Sequence, residues 1–149
     1  MKGESKDIAA GEVWVEETGQ GLINRILTHK HEIYADEPED IGGQDLAPDP
    51  YALLLSALGA CTSMTLRLYA RHKQLPLQHV RVRLRHSKRH AEDCEDCNDK
   101  HAMLDHIERE IELTGELSQA QRERLLEIAN KCPVHRTLTS KIKIDSKLI

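Results

Sequence analysis

The chain has no phenylalanine, and with one tryptophan and three tyrosines its aromatic residues amount to 3% of 149 positions. A core built on large rings is thereby excluded. The interior falls to Leu, Ile, Val and Ala, a set that suits a Leu-rich helical centre. Surplus positive charge is missing too. Lysine and arginine total 21 against 25 acidic residues, a formal net charge of −4, so the chain has neither the electrostatic footprint of a nucleic-acid binder nor the basic clustering of a membrane-surface protein. Long apolar runs are scarce. The strongest, Ala52 to Ala60, is far below the ~20 residues of a membrane span, and the opening Met1-Lys2-Gly3-Glu4-Ser5-Lys6-Asp7 lacks an apolar signal core. The expectation is a soluble cytoplasmic protein. Phosphate loops, dinucleotide glycine patterns and hydrolase nucleophile elbows are also absent from the sequence.

What is present fits one domain over residues 1–149, long enough to bury roughly 70% of the surface its unfolded form exposes. Four cysteines occur without the regular spacing of a secreted disulfide scaffold, which favours reactive or metal-binding thiols in a reducing compartment.

Alternation predicts strands over Glu12 to Glu17, Leu22 to Thr28 and His31 to Ala35, the first two joined through Gly19-Gln20-Gly21. A loop rich in Asp, Glu, Pro and Gly follows, and its Gly42-Gly43 pair could fold back as a lid. It ends at Asp49-Pro50, an N-cap and first helical residue. The helix from Pro50 to about His72 is apolar around most of its circumference, which predicts burial on several sides and a partner subunit to supply the cover. Leu77 to Ser87 and Ile107 to Thr114 read as strands, with the alternating charges of Arg81 to Arg85 and Glu108 to Glu112 as a solvated face. Ser118 caps a helix to about Lys131, Pro133 opens a short one, and Lys141 to Asp145 alternates as a last strand. The order βββ-α-ββ-αα-β is that of an α+β fold.

Two cysteines stand in unlike settings. Cys61 lies in the apolar helix, where a thiol is ordinarily a small hydrophobe. There Gly59 and Ala60 allow close approach, and Thr62, Ser63 and Thr65 put hydroxyls nearby. A reactive thiolate needs a cation or helix amides as well. Cys132, in Lys131-Cys132-Pro133-Val134-His135, lies where one helix gives way to another, and the amides there favour a thiolate, though a small residue filling a tight junction fits equally.

Pro50-Tyr51-Ala52-Leu53-Leu54-Leu55-Ser56-Ala57-Leu58-Gly59-Ala60-Cys61-Thr62-Ser63-Met64-Thr65-Leu66-Arg67, with Cys132-Pro133-Val134-His135-Arg136-Thr137-Leu138 about 70 residues later, resembles the OsmC/Ohr family of thiol-dependent peroxidases over nearly the whole chain. The resemblance implies an intertwined α+β homodimer with central helices in the middle and active sites at the subunit interface. It implies that Cys61 attacks an organic hydroperoxide and becomes a sulfenic acid, that Cys132 converts this to a disulfide, and that a dithiol or lipoyl reductant resets the pair. No cofactor is needed. Arg25 matches the family's thiolate-stabilising arginine. The position of the glutamate that orients that arginine falls on Tyr51, so the guanidinium is oriented by Asp49, by another acid such as Glu37, or not at all. Tyr51, Leu54 and Leu58 are the expected walls of the substrate pocket. A non-catalytic ligand-binding protein is the rival reading, and a thiol or metal sensor a third.

A further pattern is local: His90-x3-Cys94-x2-Cys97-x3-His101. Two thiolates and two imidazoles offer a tetrahedral zinc set, the Cys-x2-Cys alone a redox disulfide, and the surrounding acids an ordinary exposed loop.

Overall fold

The computed structural model describes residues 7–90 and 103–149. Contacts divide the chain into two compact units, Met1–Leu54 and Leu55–Ile149.

In the first unit, β1 (Trp14–Glu17), β2 (Asn24–Leu27) and β3 (Glu32–Ala35) make an antiparallel sheet in that order. The glycine-flanked turn closes by Thr18 N–H donating to Ile23 O at 3.0 Å, and the next by Thr28 N–H donating to His31 O at 2.9 Å. Beyond β3, the loop expected to serve as a lid is tied to a carboxylate. Asp36 is buried, and its oxygens accept from the N–H groups of Glu37 (2.8 Å), Gln44 (3.1 Å) and Leu46 (3.2 Å). Burial pushes the Asp36 pKa up, but the three backbone donors outweigh it and hold the group below the ordinary aspartate value. A depressed folded-state pKa contributes stability that is complete above the unfolded value, about 3.9, and is lost as pH falls through the folded value. Thermal melts between about pH 2 and pH 6 are therefore expected to show the gap between wild type and Asp36→Asn narrowing as acid is added. A gap that stays constant would rule out the carboxylate as its source.

Helix α1 (Pro50–His72) starts in the first unit and continues into the second. Asp49 caps it as expected, its Oδ1 accepting from Ala52 N–H at 2.8 Å. Burial is narrower than the all-round apolar pattern predicts. It is confined to Leu58, Gly59, Thr62, Leu66 and Ala70, a stripe repeating every fourth residue, while Met64 and Leu68 remain exposed. By length and composition the whole helix is apolar enough to cross a membrane, which the shorter run Ala52 to Ala60 did not indicate. Its Arg67, however, donates to Leu77 O (2.6 Å) and Gln78 O (3.0 Å), tying the helix end to the chain that follows.

The second unit continues with β4 (His79–His90) and β5 (Met103–Thr114), an antiparallel pair in register from His79↔Thr114 to His90↔Met103. Both strands run further than their apolar alternation predicts. Ion pairs extend the ladder: Arg81–Glu112, Arg83–Glu110 and Arg85–Glu108 on the wet face, then His86–Asp105 (2.8 Å) and Lys88–Asp105 (3.2 Å). Helix α2 (Gln119–Ala129) begins with a reciprocal capping box between Ser118 and Gln121, and α3 (Pro133–Leu138) follows. Leu66 of α1 packs with Leu125, Ile128 and Ala129 of α2 to form the core.

The expected strand over Lys141 to Asp145 is not formed. Residues 141–149 have no regular structure, and Ile142 and Ile144 are exposed. A strand needs a neighbour to take its N–H and C=O groups, and none of the described strands pairs with this segment.

Candidate functional site

The second unit brings the two cysteine motifs together. Cys132 is fully buried at the α2–α3 junction, where it is the N-cap of α3 and its Sγ accepts from His135 N–H at 3.3 Å. On its other side lies Thr62 of α1, the residue after Cys61, with Oγ1 at 3.8 Å from Sγ. Thr62 donates its single hydroxyl proton to Leu58 O at 2.7 Å, so its oxygen is the acceptor toward the Cys132 thiol. Cys61 is partly exposed, and both thiols are free. Gly59, one turn earlier, has a local reason to be glycine. A Cβ there would stand 2.8 Å from Leu84 Cδ1, so the missing methyl lets β4 close onto α1.

Arg109 completes the cluster. Its Nη1 donates to Thr62 Oγ1 (3.1 Å) and Ala129 O (3.4 Å), and its Nη2 to Asn130 Oδ1 (2.7 Å). One guanidinium therefore links the Cys61 turn of α1 to the end of α2 that leads into Cys132. Reading the charges of β5 as a solvated face misses this residue. The signal was its phase: Arg109 shares odd positions with Ile107, Ile111 and Leu113, whereas Glu108, Glu110 and Glu112 point the other way.

Beside this cluster is a cavity of about 390 Å³, lined by the aliphatic Leu58, Ile107, Leu126 and Leu138 and by the polar Asp105, Arg109, Asn130, His135 and Thr139. Burial, and then the positive charge of Arg109, push the His135 imidazole below its ordinary pKa.

The other expected site residues lie as follows. Arg25, in β2 of the first unit, pairs with Glu16 across the strands at 3.1 Å, a bond and charge that raise its pKa. Its acid partner is thus Glu16, where Asp49 or Glu37 was expected, because β1 places Glu16 directly opposite and Asp49 is engaged as a helix cap. Tyr51 and Leu54 are exposed on the first turns of α1, while Leu58 is buried. The His90 backbone ends β4, and Cys94, Cys97 and His101 lie outside the described residues. Among the described residues, no cluster of three or more His, Cys, Asp or Glu is placed to hold a metal ion.

These features define an α+β chain with a cysteine-bearing central helix and a second cysteine packed against its next residue. The family model described as OsmC-like protein matches residues 42–147, and the chain belongs to the OsmC-like family. Solved structures agree in fold. An OsmC-like protein from Mycoplasma pneumoniae is 18% identical with a TM-score of 0.66, over 89% of this chain and 88% of that one. An organic hydroperoxide resistance protein OsmC from Legionella pneumophila is 18% identical with a TM-score of 0.61, over 85% and 87%. An organic hydroperoxide resistance protein from Elizabethkingia anophelis is 15% identical with a TM-score of 0.63, over 88% and 89%. No curated protein matches the chain in sequence.

Proposed function

We propose that the chain is a thiol-dependent reductase of organic hydroperoxides, acting as a homodimer. The observation that carries this reading is the buried Cys132 Sγ, 3.8 Å from the hydroxyl of the residue following Cys61. Family membership supports it, as do the names of two structurally similar proteins.

In the proposed cycle the Cys61 thiolate attacks the terminal peroxide oxygen. The O–O bond breaks, the alkoxide leaves and takes up a proton as the alcohol, and Cys61 becomes a sulfenic acid. The Cys132 thiolate then attacks that sulfur, forming the disulfide as hydroxide departs and is protonated to water. A dithiol of the lipoyl class reduces the disulfide by two exchanges and is itself oxidised. Arg25, oriented by Glu16, stabilises the attacking thiolate, and Tyr51, Leu54 and Leu58 contact the substrate. The open Met64 and Leu68 face of α1 is the surface a second subunit covers.

With a dithiol reductant, the protein is expected to consume cumene hydroperoxide catalytically and Cys61→Ser to be inactive, and with the reductant removed Cys132→Ser is expected to react once and leave a trappable sulfenic acid. Wild-type consumption no faster than Cys61→Ser would sink the proposal. The rival ligand-binding reading is favoured by Tyr51 at the position of the family's carboxylate, and it predicts that null result.

A further inference from the structure

We infer that the cavity beside Arg109 binds a small apolar carboxylate, a medium-chain fatty acid by chemical class, with the acid on the guanidinium and the chain against Leu58, Ile107, Leu126 and Leu138. The volume, about 390 Å³, is within the range of small-molecule sites. Part of the lining is aliphatic, Leu58, Ile107, Leu126 and Leu138, and a simple inorganic anion would leave that part without a partner.

The charge balance identifies the polar end. Thr62, Ala129 and Asn130 meet Arg109 with a hydroxyl, a carbonyl and an amide oxygen, all neutral. Among the described residues no carboxylate pairs with it, although arginines on the wet face of the same hairpin do have acid partners. Of the five N–H donors of a guanidinium, these bonds use three, and the remaining two suit a carboxylate. The one acid among the described residues of the cavity lining, Asp105, pairs with His86 and Lys88. The cavity therefore sets four aliphatic side chains beside a guanidinium that no described carboxylate pairs with, a combination that complements an aliphatic acid.

Binding is measured on reduced full-length protein with no peroxide present, so a failure here leaves the peroxide proposal standing, and the reverse also holds. Octanoate and its neutral analogue octanamide are titrated by calorimetry. Octanoate is expected to bind saturably at one site per chain, and to bind about ten- to a hundredfold more tightly than octanamide, the range for a hydrogen-bonded charge. Arg109→Gln is expected to abolish that preference, and Arg109→Lys to restore part of it.

Because Arg109 also ties α1 to α2, a second measurement uses wild type alone. Burial and then the positive charge of Arg109 lower the His135 pKa; either ligand adds burial but only a carboxylate compensates the charge, so the NMR titration midpoint of His135 should be higher with octanoate bound than with octanamide bound. Equal affinity for the two probes, no saturable octanoate binding, or a His135 midpoint no higher with octanoate than with octanamide overturns the inference.

Discussion

Gly43→Ala is expected to destabilise the protein by at least about 3 kcal/mol, at or above the top of the usual range for an inserted methyl group. A Cβ at position 43 would stand 1.8 Å from Glu37 O, 2.4 Å from Glu37 C and 2.8 Å from Glu37 Cα. All three are backbone atoms, so no side chain can swing aside. Glu37 must move, and it is held on both sides. Its N–H donates to the Asp36 carboxylate, its carbonyl accepts from Asp45 N–H at 3.1 Å, and Gly43 N–H itself donates to Pro38 O at 3.0 Å. The added methyl thus breaks the loop around Asp36 and leaves a buried carboxylate short of donors, a separate penalty.

Gly42→Ala is the control. Gly42 has a φ of +102° but nothing within 4 Å of an added Cβ, so only backbone strain of about 1–2 kcal/mol applies. Urea denaturation of the two variants, with amide exchange read over residues 36–46, separates the cases. Equal stabilities would show that the approach of Gly43 to Glu37 is not a constraint.

The first unit shows why such a feature is hard to read in advance. A loop aspartate has no period to betray it, and the Gly42-Gly43 pair signals backbone freedom without saying that one glycine is there for a turn and the other for a close approach. Regular elements announce themselves better. Asp49-Pro50 marks the start of α1, Ser118 with Gln121 marks α2, and alternation marks all five strands, because caps and pleats depend on neighbouring residues only. Strand ends were less legible: β4 and β5 are lengthened by His86 and Lys88 meeting Asp105, pairs that exist only once the register is set. The tail failed for the same reason in reverse, since the alternation of Lys141 to Asp145 describes a strand but not its neighbour. At the site, the motifs of Cys61 and Cys132 were visible in sequence. That Thr62 contacts Cys132, and that Arg109 is in phase with the apolar side of β5, requires knowing which faces meet.

Leu125→Ala is expected to cost about 3–4 kcal/mol, the middle of the range for emptying a buried leucine site. Leu125 and Leu66 are each 0% exposed, and with Ile128 and Ala129 they make the contact between α1 and α2. The consequence should reach the thiol. The Ala129 carbonyl, at the end of the same helix, accepts from Arg109 and from Cys132 N–H at 3.2 Å, so loosening α2 loosens the junction that buries Cys132. Peptide-resolved thiol labelling should therefore modify Cys132 faster in Leu125→Ala than in wild type. Leu126→Ala serves as the comparison, because Leu126 is 56% exposed and its loss should change stability by no more than about 0.5 kcal/mol. Leu66→Ala empties the other side of the same contact, and the double variant should lose less than the sum of the two singles, as expected for residues sharing one cavity. If Leu125→Ala were as stable as Leu126→Ala, or left Cys132 labelling unchanged, the α1–α2 core would not be what keeps the second thiol in place.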